Sequence, residues 1–573
     1  MAGGRVLPSR RHLPDGSGPG DRPSTGSRER VPLAVWAVTA LHVGLLLTFS
    51  FLYPPFTGFD ETQHVDAVLS IRHGDGWPAP QERELSEGIV AVATPLLRSA
   101  SALPFSDDEI PPRDERPSVA ELGVERDSVG QLLPNQITQH PPLYYALQAG
   151  VLAVLPGSAD WAFDKTVGVL RLVSILLMAP LPLLAWATAR ALRAPPLAGH
   201  VAALLTVSVP QLQRVGSSVN NDAGYTLAFA TVLLLLARVA TGDLRRRTVV
   251  LTGVAVGVAM LTKGFALVLP LSVGLAFVVG GLRTRVRRWW LSGLLSLVVA
   301  FVVGGWWWLR NLVLYGTVQP SGWPASYRDV LQFEPRAPGE PAPVVPFLET
   351  TYSLLSERFW GGLEINYVGP DTFPHWWTNV LVVVATVALV AAVVGAGRSR
   401  LPVTVAVLVP FASTLGVVAF GVWSGYSYSL NFPGAQGRYL FGSLPSLAAA
   451  IALGLVVLAG PAGRVRRALP VGAVLLALGM QAAGLHSVLA RSWLPAHDAG
   501  SRAERSRAAL EAIVGYSPWP TLVTLAAFAL AGLAAAAVLV LTVRRALTGA
   551  DEPAEPTGGL TPEAPSRGPA PAR

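Results

Sequence analysis

The sequence predicts an all-α polytopic membrane protein with about twelve transmembrane helices. Of its 573 residues, 51% are hydrophobic and only 14% are charged, which excludes a string of ordinary soluble domains. Apolar runs near twenty residues, long enough to cross a bilayer as helices, recur along the chain. Short arginine-rich stretches separate many of these runs. The absence of cysteine excludes both a disulfide framework and a thiolate metal site.

The positive net charge of +8 reflects membrane orientation rather than nucleic-acid binding. The arginines cluster in short loops and in the N-terminal tail, which is the pattern that places loops on the cytoplasmic side. No motif for DNA or RNA accompanies them, so we predict no nucleic-acid partner.

Two polar tails flank the membrane domain. Residues 1–30 and 547–573 are rich in Gly, Pro, Ser, Ala or charged residues and have no apolar periodicity, so both are predicted to be disordered cytoplasmic tails. No cleavage site follows the first apolar run, which we interpret as an uncleaved anchor. The membrane domain therefore covers residues 31–546.

The basic loops indicate the order of crossings. Starting with an N-terminal tail inside, arginines return at every second connection, so both termini of this multi-pass plasma-membrane protein are predicted to be cytoplasmic. The predicted spans are Val31–Tyr53 and those near 167–189, 197–213, 222–240, 248–262, 264–282, 289–309, 376–396, 401–422, 439–459, 468–490 and 520–543.

Two large segments lie outside in this topology, residues 54–166 and 310–375. Within the first, the apolar run of residues 141–155 is short for a span. If it crossed, it would also invert every later loop. We therefore predict an interfacial helix there.

Two adjacent carboxylates follow the first span. Asp60 and Glu61 come after Pro54–Pro55, and His64 lies four residues beyond Asp60. Ionisable groups at a membrane surface are costly unless they have a function, so Asp60, Glu61 and His64 predict an active site. An i, i+4 pair on a helix suits either a divalent metal, with Asp60 and His64 as ligands, or acid–base work. The structural alternative is acidic residues at the positive end of a helix dipole.

More polar residues fall at the outer ends of other predicted spans. Lys263 is one of only two lysines, the other being Lys165, in a chain that otherwise uses arginine. A compact ammonium suits a phosphate, and arginine binds phosphate through two N–H groups. The alternative is that these cations extend to the interface from helix ends. The set is His140, Asn221, Asp222, Lys263, Arg310, Asn311, Arg438 and Tyr439.

Taken together, these motifs resemble the GT-C superfamily of integral-membrane glycosyltransferases, which includes the protein O-mannosyltransferases and aminoarabinose transferases. The likeness is strongest to a bacterial group that carries a domain-of-unknown-function label, and it covers roughly residues 33–545. Its motifs, in order, are Phe59–Asp60–Glu61 with His64, His140–Pro141–Pro142–Leu143–Tyr144–Tyr145, Ser218–Val219–Asn220–Asn221–Asp222, Leu261–Thr262–Lys263, Trp308–Leu309–Arg310–Asn311 with Tyr315–Gly316, Arg358–Phe359–Trp360–Gly361 and Gln436–Gly437–Arg438–Tyr439–Leu440.

The resemblance implies transfer of a sugar from a polyprenyl-phosphate donor to an envelope glycan or protein on the outer face of the plasma membrane. Sugar transfer also needs a base for the acceptor hydroxyl and cations for the leaving phosphate. The base is assigned to Asp60, Glu61 or Asp222, with Asp60 first. Lys263, Arg310, Arg438 and Tyr439 are assigned to the donor phosphate, and His64, His140, Asn221 and Asn311 to support. A divalent metal at Asp60 and His64 remains open, as does inversion at the anomeric carbon.

Two other classes of function also require many spans. A transporter or flippase for a lipid-linked glycan would place charged groups near the midplane, often in two related halves, whereas this sequence has no convincing internal repeat. A scaffold for envelope assembly would use the acidic outer loop as its binding surface.

Overall fold

A computed structural model describes residues 30–548, apart from 102–103, 106–110, 119, 122–133, 324–333, 338, 364–371, 396 and 497–498. The predicted disordered tails lie outside the described residues, except for a few at their inner ends. The described chain is helical, as the composition predicts. In order, α1 to α20 are Leu33–Leu52, Glu61–His73, Glu87–Ser101, Leu143–Val154, Phe163–Met178, Leu181–Ala191, Pro196–Val207, Pro210–Gly216, Asn221–Ala240, Arg246–Met260, Leu269–Thr284, Trp289–Ala300, Trp306–Tyr315, Val344–Trp360, His375–Gly395, Gly397–Ser429, Leu444–Leu458, Arg464–Ser492, Arg502–Tyr516 and Thr521–Thr548.

Ten helical segments in the described part of the chain are long and apolar enough to cross a membrane, so the protein is a multi-pass membrane protein. The two other predicted crossings are built differently. The one near 197–213 is broken into α7 and α8, because Pro210 lacks an N–H and starts a new helix. The one near 248–262 is α10, which has 15 residues. The predicted count of twelve is therefore not confirmed.

Helix α4 has 12 residues and corresponds to the predicted interfacial helix. The chain before it and the chain after it touch each other. The Ala120 N–H donates to the carbonyl of Ala159, and Ser118 pairs with Ala162 in an isolated bridge. Ser118 and Ala120 therefore lie on the same side of the molecule as Ala159 and Ala162, and the interfacial position of α4 stays a prediction.

We predict that residues 54–166 lie on a single side of the membrane. The sequence suggests Ser101 and Ser158 as positions for single cysteines that report the side of the membrane. Ser158, however, is buried and donates to the carbonyl of Leu152, and the side chain of Ser101 lies outside the described residues. Single cysteines in place of the exposed Ala120 and Ala159 are therefore better probes. Both should react with an impermeant thiol reagent in intact cells, whereas a cysteine at Ala462, in a predicted inner loop, should stay unlabelled.

Labelling of Ala120→Cys with protection of Ala159→Cys would mean that α4 crosses. The predicted side of every later span would then be inverted.

The two largest apolar clusters among the described residues contain most of the buried apolar side chains of the helices. One contains the buried start of α1 with much of α6, α7 and α9. The other surrounds the end of α1, the turn after it, α4 and α8. Helix α1 packs closely on α20, since a Cβ on Gly44 would lie 2.8 Å from the Cα of Ala531. The second cluster is the frame for the polar residues that follow α1.

Buried ion pairs attach the large loop to this frame. Arg83 donates to both carboxylate oxygens of Asp66, at 2.7 and 3.0 Å, and the amide of Asn135 donates to the same carboxylate at 2.7 Å. The Asn135 N–H also donates to the carbonyl of Arg83. These bonds fix the short 3₁₀ helix Gln136–Gln139 beside α2. In the same loop, Arg116 pairs with Asp164 and donates to the carbonyl of Gly515 at the end of α19.

Candidate active site

The turn after α1 brings Asp60 to the surface of a cavity. Pro54–Pro55 end α1, and the Thr57 hydroxyl donates back to the carbonyl of Pro54 at 2.7 Å. Gly58 is needed because a Cβ there would lie 2.6 Å from the Cβ of Ser218. Asp60 follows with φ of 53°, a left-handed conformation that Asp tolerates better than most residues. Backbone strain of this kind is typical of functional sites.

Glu61 is buried and binds the frame rather than the cavity. Its carboxylate accepts from the Arg171 Nε at 2.8 Å, from the Val219 N–H at 2.8 Å and from the Gly58 N–H at 3.2 Å. Arg171 in turn donates to three carbonyls at the end of α1, those of Ser50, Tyr53 and Pro54. Glu61 and Arg171 therefore tie α1, α5 and the chain before α9 together beneath Asp60.

Asp60 is the accessible acid of the three predicted ones. Its side chain is 41% exposed, compared with 2% for Asp222 and 0% for Glu61. One carboxylate oxygen of Asp60 lies 3.3 Å from a guanidinium nitrogen of Arg438, and the other accepts from the Gln136 amide at 3.3 Å. A carboxylate held by long contacts and open to a cavity can accept a proton from a bound molecule.

Asp222 and Lys263 form a buried ion pair in the same cavity. Asn220 caps α9 by accepting from the Asp222 N–H at 2.7 Å, which places Asp222 in the first turn. Lys263 lies in extended backbone between α10 and a 3₁₀ turn, Gly264–Val268, and its ammonium donates to Asp222. An ammonium has three N–H donors, so the bond to Asp222 leaves N–H groups of Lys263 for other acceptors. The Tyr439 ring lies 4.9 Å from the ammonium.

Arg438 connects the two carboxylates. Besides its contact with Asp60, its Nε is 3.6 Å from the second oxygen of Asp222. Its guanidinium lies 4.2 Å from the centre of the Phe59 ring, and Arg214 lies 3.9 Å from the same ring. Stacking of this kind orients a guanidinium by cation–π attraction. Asp60, Arg438, Asp222 and Lys263 thus form a row of alternating charges that sums to zero.

These groups face a cavity of about 660 Å³, which is within the usual range for a small-molecule site. It brings together eight of the predicted site residues: Asp60, His64, His140, Asn221, Asp222, Lys263, Arg438 and Tyr439. Residues from the first large loop, from α9 and from the turns after α10 and before α17 therefore converge on this cavity.

Three predicted site residues do not line this cavity. Glu61 is bound to Arg171, as described above. Arg310 stacks on Trp307 and Tyr315 and donates to the Asn311 side chain. Asn311 donates to the carbonyl of Val318 at 3.3 Å. Arg310 is predicted from the sequence to bind the donor phosphate together with Lys263 and Arg438, but it does not line this cavity and its guanidinium lies against the rings of Trp307 and Tyr315.

The two histidines at the cavity are neutral at physiological pH. Burial lowers the pKa of His64 well below its usual value, and the positive charges of Lys263 and Arg438 add to this effect. Burial also lowers the pKa of His140 to about 3. His64 Nδ1 shares a hydrogen bond of 3.0 Å with the Tyr145 hydroxyl. A neutral imidazole can exchange hydrogen bonds with hydroxyl groups of a ligand.

The donor set does not fit a divalent metal. Within the described ranges, no three His, Asp or Glu side chains are close enough to share an ion. Asp60 and Asp222 each face a cation already, and His64 uses Nδ1 on Tyr145. The carboxylates that could bind a metal ion are instead paired with the cations Lys263 and Arg438. We therefore derive no step through a metal ion.

Several residues of the site were not assigned from the sequence. Gln136 contacts Asp60, Phe59 stacks on two arginines, and Tyr145 binds His64. Tyr144 accepts from the Asn220 N–H at 2.8 Å, which supports the cap of α9. The Tyr144–Tyr145 pair stood in one of the motifs, whereas an isolated glutamine in an irregular loop has no sequence signal.

Two solved proteins resemble the chain in structure. ArnT from Cupriavidus metallidurans bound to undecaprenyl phosphate aligns with a TM-score of 0.39 and 16% identity, covering 90% of this chain and 79% of that one. The oligosaccharyltransferase AglB from Archaeoglobus fulgidus, in complex with an inhibitory peptide and a dolichol-phosphate, aligns with a TM-score of 0.40 and 14% identity. That alignment covers 88% of this chain and 56% of AglB. Both similarities concern the fold.

No curated protein matches the sequence. A family profile described as "Predicted membrane protein (DUF2142)" matches residues 43–447, which is more than half of the chain. The chain therefore belongs to the DUF2142 family of membrane proteins.

Proposed function

We propose that the protein is a membrane glycosyltransferase of the GT-C type. It transfers a sugar from a polyprenyl-phosphate donor to an envelope glycan or protein, on the outer face of the plasma membrane. The observation that carries the proposal is one exposed carboxylate, Asp60, facing a cavity that also contains two cations, Lys263 and Arg438. A base beside phosphate-binding cations is the minimum that such a transfer requires.

The reaction is written as a single displacement. Asp60 takes the proton from the acceptor hydroxyl, whose oxygen forms a bond to the anomeric carbon of the donor. The bond from that carbon to the phosphate oxygen breaks, and the lipid phosphate leaves with the electron pair. A single displacement inverts the anomeric carbon.

Lys263 and Arg438 bind the donor phosphate in this proposal. Since Arg438 also contacts Asp60 at 3.3 Å, a phosphate that draws Arg438 toward itself weakens that ion pair. Donor binding thereby releases Asp60 to act as base. Asp222 keeps Lys263 and Arg438 on one wall and has too little exposure to meet an acceptor.

Replacing Arg438 with Lys is expected to weaken donor binding about tenfold or more. An ammonium keeps the charge but loses the planar pair of donors, and a hydrogen bond to a charged group contributes about 1.5–3 kcal/mol. Binding of a fluorescent polyprenyl-phosphate sugar to purified protein measures the change. Arg310→Lys is the matched control, because Arg310 lies outside the cavity and should retain wild-type affinity. Equal losses in the two variants would contradict the assigned phosphate subsite.

Replacing Gln136 with Met is expected to lower kcat/KM about tenfold. The Gln136 amide nitrogen donates to Asp60, while its amide oxygen is buried with no hydrogen-bond partner among the described residues. That oxygen can accept from a sugar hydroxyl, and methionine of similar size cannot. A loss of about 1.4 kcal/mol corresponds to tenfold. Steady-state transfer rates test this, and unchanged kcat and KM would remove Gln136 from the sugar subsite.

The function itself is tested by removing the gene product. Lipid extracts should then contain more of one polyprenyl-phosphate sugar, and the envelope should lack the corresponding sugar. Wild-type protein should restore both masses, whereas Asp60→Asn should not. Restoration by Asp60→Asn would instead indicate a carrier or scaffold, neither of which needs a base.

A further inference from the structure

A second cavity, of about 1210 Å³, lies between α1, α18, α19 and α20. It shares no lining residue with the active-site cavity. Its walls are mainly apolar and include Leu45 of α1, Leu485 of α18 and Phe528 of α20. Since 1.5 Å separates successive residues of a helix, the lining from Leu41 to Leu52 runs about 16 Å along α1. That length is close to one leaflet, half of the roughly 30 Å hydrocarbon core.

One end of this cavity is cationic. Arg502 and Arg505 of α19 line it together with Ser506. Arg505 donates one bond, to the carbonyl of Pro495, and its Nε is buried with no hydrogen-bond partner within the described ranges. Arg502 is exposed and makes no ion pair with a described carboxylate. By contrast, the neighbouring Arg507 is paired with Glu511 at 2.8 Å and does not line the cavity.

The cationic end lies on the same side as the active site. The Trp493 ring N–H, just after α18, donates to the carbonyl of Leu52 at the end of α1, and the Phe105 N–H of the first large loop donates to the carbonyl of Ser492. Arg505 donates to the carbonyl of Pro495 in the same connection between α18 and α19. The first large loop also contributes Asp60 and Gln136 to the active site. Arg502 and Arg505 are therefore held at the level of a membrane surface, above an apolar groove one leaflet deep.

We infer that this cavity is a binding site for one anionic phospholipid of that leaflet. Its phosphate lies against Arg502 and Arg505, and its acyl chains lie between α1, α18 and α20. Basic pockets between transmembrane helices bind anionic head groups in this way. Charge complementarity favours an anionic lipid over a zwitterionic one, and the depth of about one leaflet favours acyl chains over a longer polyprenyl chain. The inference is independent of the proposed catalytic function.

The test is lipid binding by the full chain in detergent, counted by native mass spectrometry. Phosphatidylglycerol should bind more tightly than phosphatidylcholine. In the double variant Arg502→Gln, Arg505→Gln, we expect the affinity for phosphatidylglycerol to fall about tenfold or more, because charge-assisted hydrogen bonds to its phosphate are lost. Arg507→Gln is the matched control and should bind like the wild type.

A second pair of variants tests the chain groove. Gly532 lines the cavity, and a Cβ there meets no atom within 4 Å, so Gly532→Phe should fill the groove and abolish the site. Gly472→Phe is the control, because Gly472 has the same open surroundings but does not line the cavity. The inference is overturned if both lipids bind alike in every variant, if glycerol phosphate alone displaces the lipid, or if polyprenyl phosphate displaces it at equal concentration.

Discussion

Asp60→Asn should reduce sugar transfer by about a hundredfold or more, the usual scale for loss of a general base. Asparagine has nearly the same size, tolerates the left-handed backbone at this position, and can still accept from the Gln136 amide. It cannot accept a proton from the acceptor hydroxyl. Donor binding should change little, because Lys263 and Arg438 remain. The change should therefore be found in kcat, measured with purified protein in proteoliposomes.

The equivalent changes at the other two acids identify the base. Asp222→Asn should weaken donor binding, since it removes the partner of Lys263 and leaves that ammonium buried. If Asp60→Asn turns over at the wild-type rate while Asp222→Asn does not, the base is Asp222. If both variants and Glu61→Gln remain active, the glycosyltransferase assignment is wrong.

Glu61→Gln should destabilise the protein by about 3–5 kcal/mol, the range for removing one partner of a buried ion pair. The substitution leaves the Arg171 charge buried among the carbonyls at the end of α1 without a counter-ion. The expected result is a clearly lower melting temperature in detergent micelles. Transfer in membranes should decrease in proportion to the folded protein that remains.

Glu511→Gln is the control for Glu61→Gln, because Glu511 pairs with Arg507 on an exposed face of α19, where an ion pair contributes little. Its melting temperature should match the wild type. A Glu61→Gln protein as stable as the wild type but without transfer would show that Glu61 acts in the reaction. The structural role assigned to it here would then be wrong.

The class of fold and the charged residues of the cavity could be predicted from the sequence. Apolar runs of span length reflect a direct physical requirement, so the long helices could be predicted. Ionisable residues at span ends are costly and therefore few. Those predicted at the outer ends of distant spans could therefore be grouped as one candidate site. This grouping predicts a shared site for Lys263, Asp222 and Arg438, and all three line the cavity.

What could not be predicted depends on contacts between segments far apart in the chain. Glu61 and Asp60 are adjacent and chemically alike, and only the position of Arg171, 110 residues away, separates a structural acid from an exposed one. Arg310 differs from Arg438 because its guanidinium is held by Trp307 and Tyr315. The break before Pro210 reduced the count of long helices, since hydropathy does not register a change of helix direction.

The most direct test of the central claim is the mass of the lipid bound to Asp60→Asn protein purified from its native membrane. If Asp60 is the base and the cations hold the donor, this variant should retain a polyprenyl-phosphate sugar that the wild type turns over. Adding Arg438→Lys should release that lipid. Purified Asp60→Asn protein that has no sugar-bearing lipid, or the same lipid retained equally with and without Arg438→Lys, would contradict the account.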